Sequence, residues 1–129
     1  MIKIYVICGL FFATLPVGAE WHLSGRIVVP SLDNFLGYEK VRVQLISGGM
    51  IYTECGEEIA DENGYFDITC SAFNIFGFKH LAVLHRFEGH ECKMYFFKDI
   101  SLGDDKVFTL TKDTKNINDD DQCPKDVYY

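Results

Sequence analysis

The chain has few basic residues for its acidic content. Its 129 residues include 12 Lys and Arg against 19 Asp and Glu, which gives a formal net charge of −7. An acidic excess of this size argues against binding to nucleic acid and against simple electrostatic attraction to anionic membranes. It leaves open a local site for a lipid headgroup.

The chain also lacks an apolar run long enough to cross a bilayer. The longest run, from Ile4 to Leu15, follows Lys3 and precedes the small-residue segment Pro16 to Ala19. This pattern is typical of a signal peptide over residues 1–19, cleaved after Ala19, although an N-terminal anchor is the alternative. We therefore expect a secreted, extracellular chain from Glu20 onward that forms one domain. No Asn-x-Ser/Thr sequence is present, so no N-linked glycan is expected.

Cysteine is sparse but informative. Cys8 lies in the expected signal peptide, and four cysteines remain: Cys55, Cys70, Cys92 and Cys123. Four cysteines in a secreted chain indicate two disulfides, for which three pairings are possible.

Short alternating segments are abundant. They predict strands at 22–29, 41–45, 51–60, 65–70, 79–87, 92–97 and 106–111. About seven strands without a clear amphipathic helix predict an all-β, antiparallel β-sandwich over residues 20–112. Residues 113–129 are acidic and polar, and we expect them to form a C-terminal tail held by Cys123.

The stretch Asp61-Glu62-Asn63-Gly64 is interpreted as a tight turn. Read as a four-residue hairpin loop, it places Cys55 opposite Cys70, within disulfide reach. Cys92 and Cys123 then pair by exclusion. The same register would bury Glu57, so a bulge or a strand edge is expected there. A calcium loop is disfavoured, because the glycine comes too early and no distant glutamate follows.

Several segments together resemble the nematode transthyretin-like family, whose fold is related to transthyretin (prealbumin). The motif Asp61-x-x-Gly64-x-Phe66 carries the resemblance, within ADENGYFDI. LSGRIVV, VRVQLI, KHLAVLHRFEGHECKMYFF and FTLTKD resemble the family's other strands in order. Two cysteines common in the family are missing, and Cys55 and Cys70 are additional, so the family's disulfides are not transferred.

Two groups of residues suggest a metal-binding or catalytic role, but each is also consistent with a structural role. His85, His90, Glu91 and Cys92 cluster around one loop, but their spacing does not match a zinc site. Hydroxyisourate hydrolases resemble transthyretin and end in Tyr-Arg-Gly-Ser, which this chain lacks. His22 and Arg42 could belong to such a site but are ordinary strand residues. No nucleophile-and-base constellation is evident, so we expect neither an enzyme nor a cofactor.

Aromatic residues give the candidate binding patch. Alternate faces of the strand at 92–97 both carry large apolar residues, so either Tyr95 and Phe97 or Met94 and Phe96 face outward or are covered by another element. The patch for an extracellular protein or lipid partner comprises Phe73, Ile75, Phe76, Phe78, Tyr95 and Phe97.

The function expected from the sequence is a secreted, non-catalytic binding protein for a protein, lipid or small apolar ligand. The resemblance also suggests an oligomeric carrier with its ligand at a subunit interface. A divergent hydroxyisourate hydrolase is the third possibility. The oligomeric state and the ligand are left open by the sequence.

Overall fold

The computed structural model describes residues 20–48, 53–71, 78–111, 115–117 and 119–129. Within them, eight strands follow one another along the chain, and a short 3-10 helix spans Asp120–Gln122. The strands are β1 (Glu20–Val28), β2 (Arg42–Ser47), β3 (Thr53–Ile59), β4 (Tyr65–Ser71), β5 (Lys79–His85), β6 (Lys93–Phe97), β7 (Gly103–Thr109) and β8 (Lys115–Asn116). No helix in these residues is long and apolar enough to cross a membrane.

The strands form two sheets, and the predicted all-β sandwich is confirmed. One sheet has the order β4-β1-β7 and the other β3-β2-β5-β6-β8. Every pair in the five-stranded sheet is antiparallel. In the three-stranded sheet β1 is antiparallel to β4 but parallel to β7. This parallel pair departs from the wholly antiparallel arrangement that the sequence predicts.

The core lies between the sheets and follows the period-two alternation of the strands. Inward side chains from β1, β2 and β5 form its centre: Leu23, Ile27, Val43, Leu45, Leu81 and Val83. All seven residues of β5 are buried, because β5 is central in its sheet and is covered on its outer face as well. That cover is a second apolar cluster around Leu84 and the Cys92–Cys123 disulfide.

The turn at residues 61–64 is tight, as the sequence predicts. Asp61 Oδ1 accepts hydrogen bonds from the backbone amides of Asn63 and Tyr65, both at 2.9 Å. Gly64 has φ of 90°, and a β-carbon there would collide with the carbonyl oxygen of Ile27. Glycine is therefore required at this position both by the backbone conformation and by the close approach of β1.

The predicted β3–β4 hairpin is wrong. β3 pairs with β2 in one sheet and β4 pairs with β1 in the other, so the turn carries the chain from sheet to sheet. The disulfides nevertheless join Cys55 to Cys70 and Cys92 to Cys123, the pairings that the sequence favours. Cys55–Cys70 therefore links the two sheets and does not cross a hairpin.

Strand β3 resolves the expected conflict at Glu57. β3 is an edge strand, and its pairing with β2 shifts register where Gly56 and Glu54 flank Cys55. Glu57 consequently faces solvent beside Gln44. A β-carbon on Gly56 would lie 2.9 Å from Cγ2 of Ile68, so the sheets approach each other closely here. The bulge turns Cys55 toward the opposite sheet.

The C-terminal segment packs on the sandwich. Cys123 is buried, and Tyr128 belongs to the main core. The Tyr128 hydroxyl donates to the Ala60 carbonyl at 2.6 Å and accepts from the Val41 amide at 3.0 Å. Its backbone also pairs with Tyr38. The segment that its composition predicts as a polar tail thus contributes to the core and to the end of the sandwich.

Candidate functional site

A cavity of about 400 Å³ opens at one end of the sandwich, between the sheets. We call it the end cavity. Its walls come from segments that lie far apart in the sequence: the end of β1 and the turn after it, Tyr38, the end of β5, and the residues after β7. The lining residues are Val29, Pro30, Ser31, Leu32, Tyr38, His85, Phe87, Glu88, Leu110 and Thr111. A concave, largely apolar space of this size is typical of a small-molecule site.

Aromatic rings give this end of the sandwich its shape. The Phe87 ring lies 5.4 Å from that of Tyr38 and 4.9 Å from that of Phe35, measured between centroids. It also stacks on the His85 ring at 5.1 Å. Phe35 is buried in the core, so these contacts connect the cavity wall to the sandwich interior. Interlocking rings hold the cavity open with few rotatable bonds.

His85 is the most deeply buried polar residue of the cavity wall, which also includes Ser31, Tyr38, Glu88 and Thr111. It follows Leu81 and Val83 on the inward face of β5 and is 1% exposed. Its Nδ1 accepts a hydrogen bond from the Phe87 amide at 3.2 Å. The neutral ring must then carry its proton on Nε2. Nε2 is buried and has no hydrogen-bond partner among the described residues.

Burial also fixes the charge of His85. Desolvation lowers the pKa of His85 from 6.5 to about 4, and the positive charge of Lys93 adds to the effect. The imidazole is therefore uncharged at neutral pH, and it is a weak proton acceptor there. Its chemistry in this position is to donate one hydrogen bond from Nε2.

Of the predicted aromatic patch, only Phe78, Tyr95 and Phe97 lie within the described residues. Phe73, Ile75 and Phe76 lie outside the described residues. Phe78 is 64% exposed. Tyr95 and Phe97 pair with Val83 and Leu81 of β5 and pack against the core. They face inward because β6 shares the alternation of β5.

The other face of β6 is covered locally. Met94 packs on the cluster around Leu84 and the Cys92–Cys123 disulfide. The Phe96 ring lies 5.2 Å from that of His80. Of the two arrangements left open by the sequence, Met94 and Phe96 are the outward pair.

The residues of the metal interpretation are dispersed. His85 faces the interior, His90 lies at an exposed turn with Nδ1 3.0 Å from Glu39, and Cys92 is in a disulfide. Among the described residues no three His, Cys, Asp or Glu side chains are grouped so as to hold a metal ion.

The two residues considered for a hydrolase site are also apart. His22 lies on the outer face of the three-stranded sheet, where its ring nitrogens contact Asp67 at 2.7 Å and Asp104 at 2.9 Å. The hydrogen bond to Asp67 raises the pKa of His22. Arg42 alternates with Val43 and so lies on the outer face of the other sheet, near Glu57. The two side chains therefore do not converge.

Comparison with known proteins adds little. No family model matches the chain, and no curated protein matches it. Among solved structures it is similar to a 9R-lipoxygenase from Cyanothece PCC8801, with 13% identity and a TM-score of 0.39. The match covers 75% of this chain and 16% of the lipoxygenase chain. A likeness of this size does not bear on function.

The end cavity is not evident from the sequence. Its apolar lining residues come after the ends of β1, β5 and β7, and nothing in the local sequence marks them as neighbours. One signal was present: His85 occupies the same inward face as Leu81 and Val83. A histidine at an inward position near a strand end is a reason to look for a partner or a ligand there.

Proposed function

We propose that this chain is a secreted, non-catalytic binding protein of the transthyretin-like kind, and that it holds a small, largely apolar ligand in the end cavity. The observation that carries the proposal is the cavity itself, with its largely apolar walls and the buried, unpaired Nε2 of His85. Two disulfides suit an oxidising, extracellular environment.

The cavity is favoured over the aromatic patch as the binding site because of where the side chains lie. Tyr95 and Phe97 are partly buried and pack against the core, which reduces the surface that they offer to a partner. The end cavity, in contrast, combines a concave shape, aromatic walls and a few polar side chains, which are the usual components of a small-molecule site.

A neutral fluorescent probe, N-phenyl-1-naphthylamine, tests the proposal. We expect its fluorescence to rise on titration with the protein. The variant Leu32→Trp fills the cavity from a partly buried wall position and should weaken binding by about tenfold or more, equivalent to about 1.4 kcal/mol.

Val107→Trp is the matched control, because Val107 is 66% exposed and does not line the end cavity. It adds the same indole elsewhere and should leave the affinity unchanged. Near-UV circular dichroism would verify that both variants are folded. Undiminished probe binding by folded Leu32→Trp, or no binding by the unaltered protein, would rule out the cavity as the site.

A further inference from the structure

We infer that the ligand of the end cavity carries an uncharged hydrogen-bond acceptor, such as a ketone or ester carbonyl, which accepts the Nε2 proton of His85. This inference rests on the proposed function and specifies the chemistry of the same site.

Nε2 of His85 is a buried donor without a hydrogen-bond partner among the described residues. Folded proteins rarely leave a buried polar group without a partner, because its lost hydration is then not replaced. Among the described residues, two other buried side-chain nitrogens also lack a hydrogen-bond partner, Trp21 Nε1 and Arg42 Nε, but neither residue lines the end cavity. His85 alone of the three belongs to the wall of a space that can hold a ligand.

The hydrogen bond at Nδ1 determines which nitrogen of His85 can donate to a ligand. The Phe87 amide donates to Nδ1 of His85, which leaves the proton of the neutral ring on Nε2. Nε2 is therefore a donor buried within a residue that lines the cavity, and a hydroxyl or amine of the ligand would pair with it only by accepting through a lone pair. A carbonyl oxygen, which only accepts, matches this donor best.

The charges of the lining residues indicate which ligand charge the cavity favours. None of the ten lining residues is Lys or Arg, and one of them is Glu88. A carboxylate or phosphate would lose its hydration in the cavity without meeting a cation among the described lining residues. Burial also holds His85 itself uncharged. These conditions favour a neutral acceptor over an anion.

The access of a ligand to Nε2 is restricted by neighbouring side chains. Nε2 exposes less than 1 Å² of surface. The acceptor must therefore reach it through an adjustment of neighbouring side chains, and such changes are common when a ligand binds. The ligand class follows as a compact apolar molecule with one carbonyl near its buried end.

The test uses three probes of similar shape: benzophenone, diphenylmethane and 4-benzoylbenzoate. Benzophenone has a carbonyl where diphenylmethane has a methylene. By calorimetry, we expect the unaltered protein to bind benzophenone about tenfold more tightly than diphenylmethane. It should bind the anionic 4-benzoylbenzoate more weakly than benzophenone.

Two variants assign the preference to His85. His85→Leu should bind the two neutral probes about equally, and His85→Gln, whose side-chain amide can donate from a similar position, should restore part of the difference. In the unaltered protein, benzophenone but not diphenylmethane should shift the His85 Nε2 proton resonance. If a variant fails to fold, the shift of this resonance in the unaltered protein still tests whether the carbonyl contacts His85.

The outcomes separate the two proposals. If neither N-phenyl-1-naphthylamine nor the neutral probes bind, the proposed function fails. If diphenylmethane and benzophenone bind equally well, or if folded His85→Leu keeps the preference, only the carbonyl inference is overturned. Tighter binding of 4-benzoylbenzoate than of benzophenone would likewise overturn the uncharged class.

Discussion

At the scale of single residues, the two histidines with shifted pKa values act on stability in opposite directions. Burial lowers the pKa of His85 to about 4, whereas the hydrogen bond to Asp67 raises that of His22. A neutral, buried histidine resists protonation in the folded state, and an exposed one between carboxylates is protonated more readily. The pH dependence of the free energy of unfolding therefore distinguishes the inward His85 from the outward His22.

His85 is predicted to make the protein sensitive to acid. Between pH 6.5 and about 4 the unfolded chain protonates this residue and the folded chain does not. The contribution to stability is thus complete above pH 6.5 and is lost as the pH falls, by up to about 3 kcal/mol. Urea unfolding at neutral pH and at about pH 4.5 should show a smaller loss for His85→Leu than for the unaltered protein.

His22→Gln provides the control for this measurement. The raised pKa of His22 means that its contribution is present below pH 6.5 and is lost as the pH rises through the folded-state value. Its removal should therefore steepen the loss of stability on acidification, and removal of His85 should flatten it. Parallel pH profiles for the unaltered protein and His85→Leu would contradict the buried, neutral assignment.

At the scale of elements, the C-terminal segment is held by a buried arginine. The Arg86 guanidinium donates to the carbonyl oxygens of Asp120, Cys123 and Pro124, at 2.7 to 3.1 Å, and to the Asp120 carboxylate. It also reaches the His90 carbonyl. One side chain on the strand side thus satisfies several acceptors of a segment with little secondary structure of its own.

Tyr128→Phe tests whether this segment stabilises the core. The change removes the hydroxyl that joins the Val41 amide to the Ala60 carbonyl and leaves both without that partner. We expect a loss of about 1–3 kcal/mol in the free energy of unfolding, measured with urea. Tyr129→Phe removes the same hydroxyl from a fully exposed neighbour and should have no effect. Equal stability of the two variants would mean that the Tyr128 hydroxyl does not stabilise the core.

The elements themselves were predictable from the sequence, and their partners were not. Seven of the eight described strands overlap predicted ones because alternation is a local signal, whereas the two-residue β8 lies in the predicted tail. The β3–β4 pairing failed because a four-residue turn can join strands within one sheet or carry the chain to another. Tyr128 was missed because one buried ring in an acidic segment leaves no periodic pattern. The end cavity was missed because segments distant in the sequence build it.

At the scale of the whole molecule, the two disulfides lie at different distances from the end cavity. Trp21 at the start of β1 pairs with Cys70, and Val29 just beyond its end lines the cavity. Eight residues of strand separate these points by about 26 Å. Cys92–Cys123, in contrast, anchors the C-terminal segment. In that segment the Tyr128 amide donates to the carbonyl oxygen of Tyr38, and Tyr38 lines the cavity.

Removal of each disulfide should therefore affect binding differently while costing similar stability. The pairs are 15 and 31 residues apart, for which chain-entropy estimates are about 3 and about 4 kcal/mol. We expect Cys55→Ala with Cys70→Ala to lower stability yet keep the affinity for N-phenyl-1-naphthylamine within about twofold, because the cavity end is intact. Cys92→Ala with Cys123→Ala should remove the support of Tyr38 and lower the affinity for N-phenyl-1-naphthylamine. If the first double variant loses binding while folded, or the second retains it fully, the cavity wall does not depend on the C-terminal segment in this way.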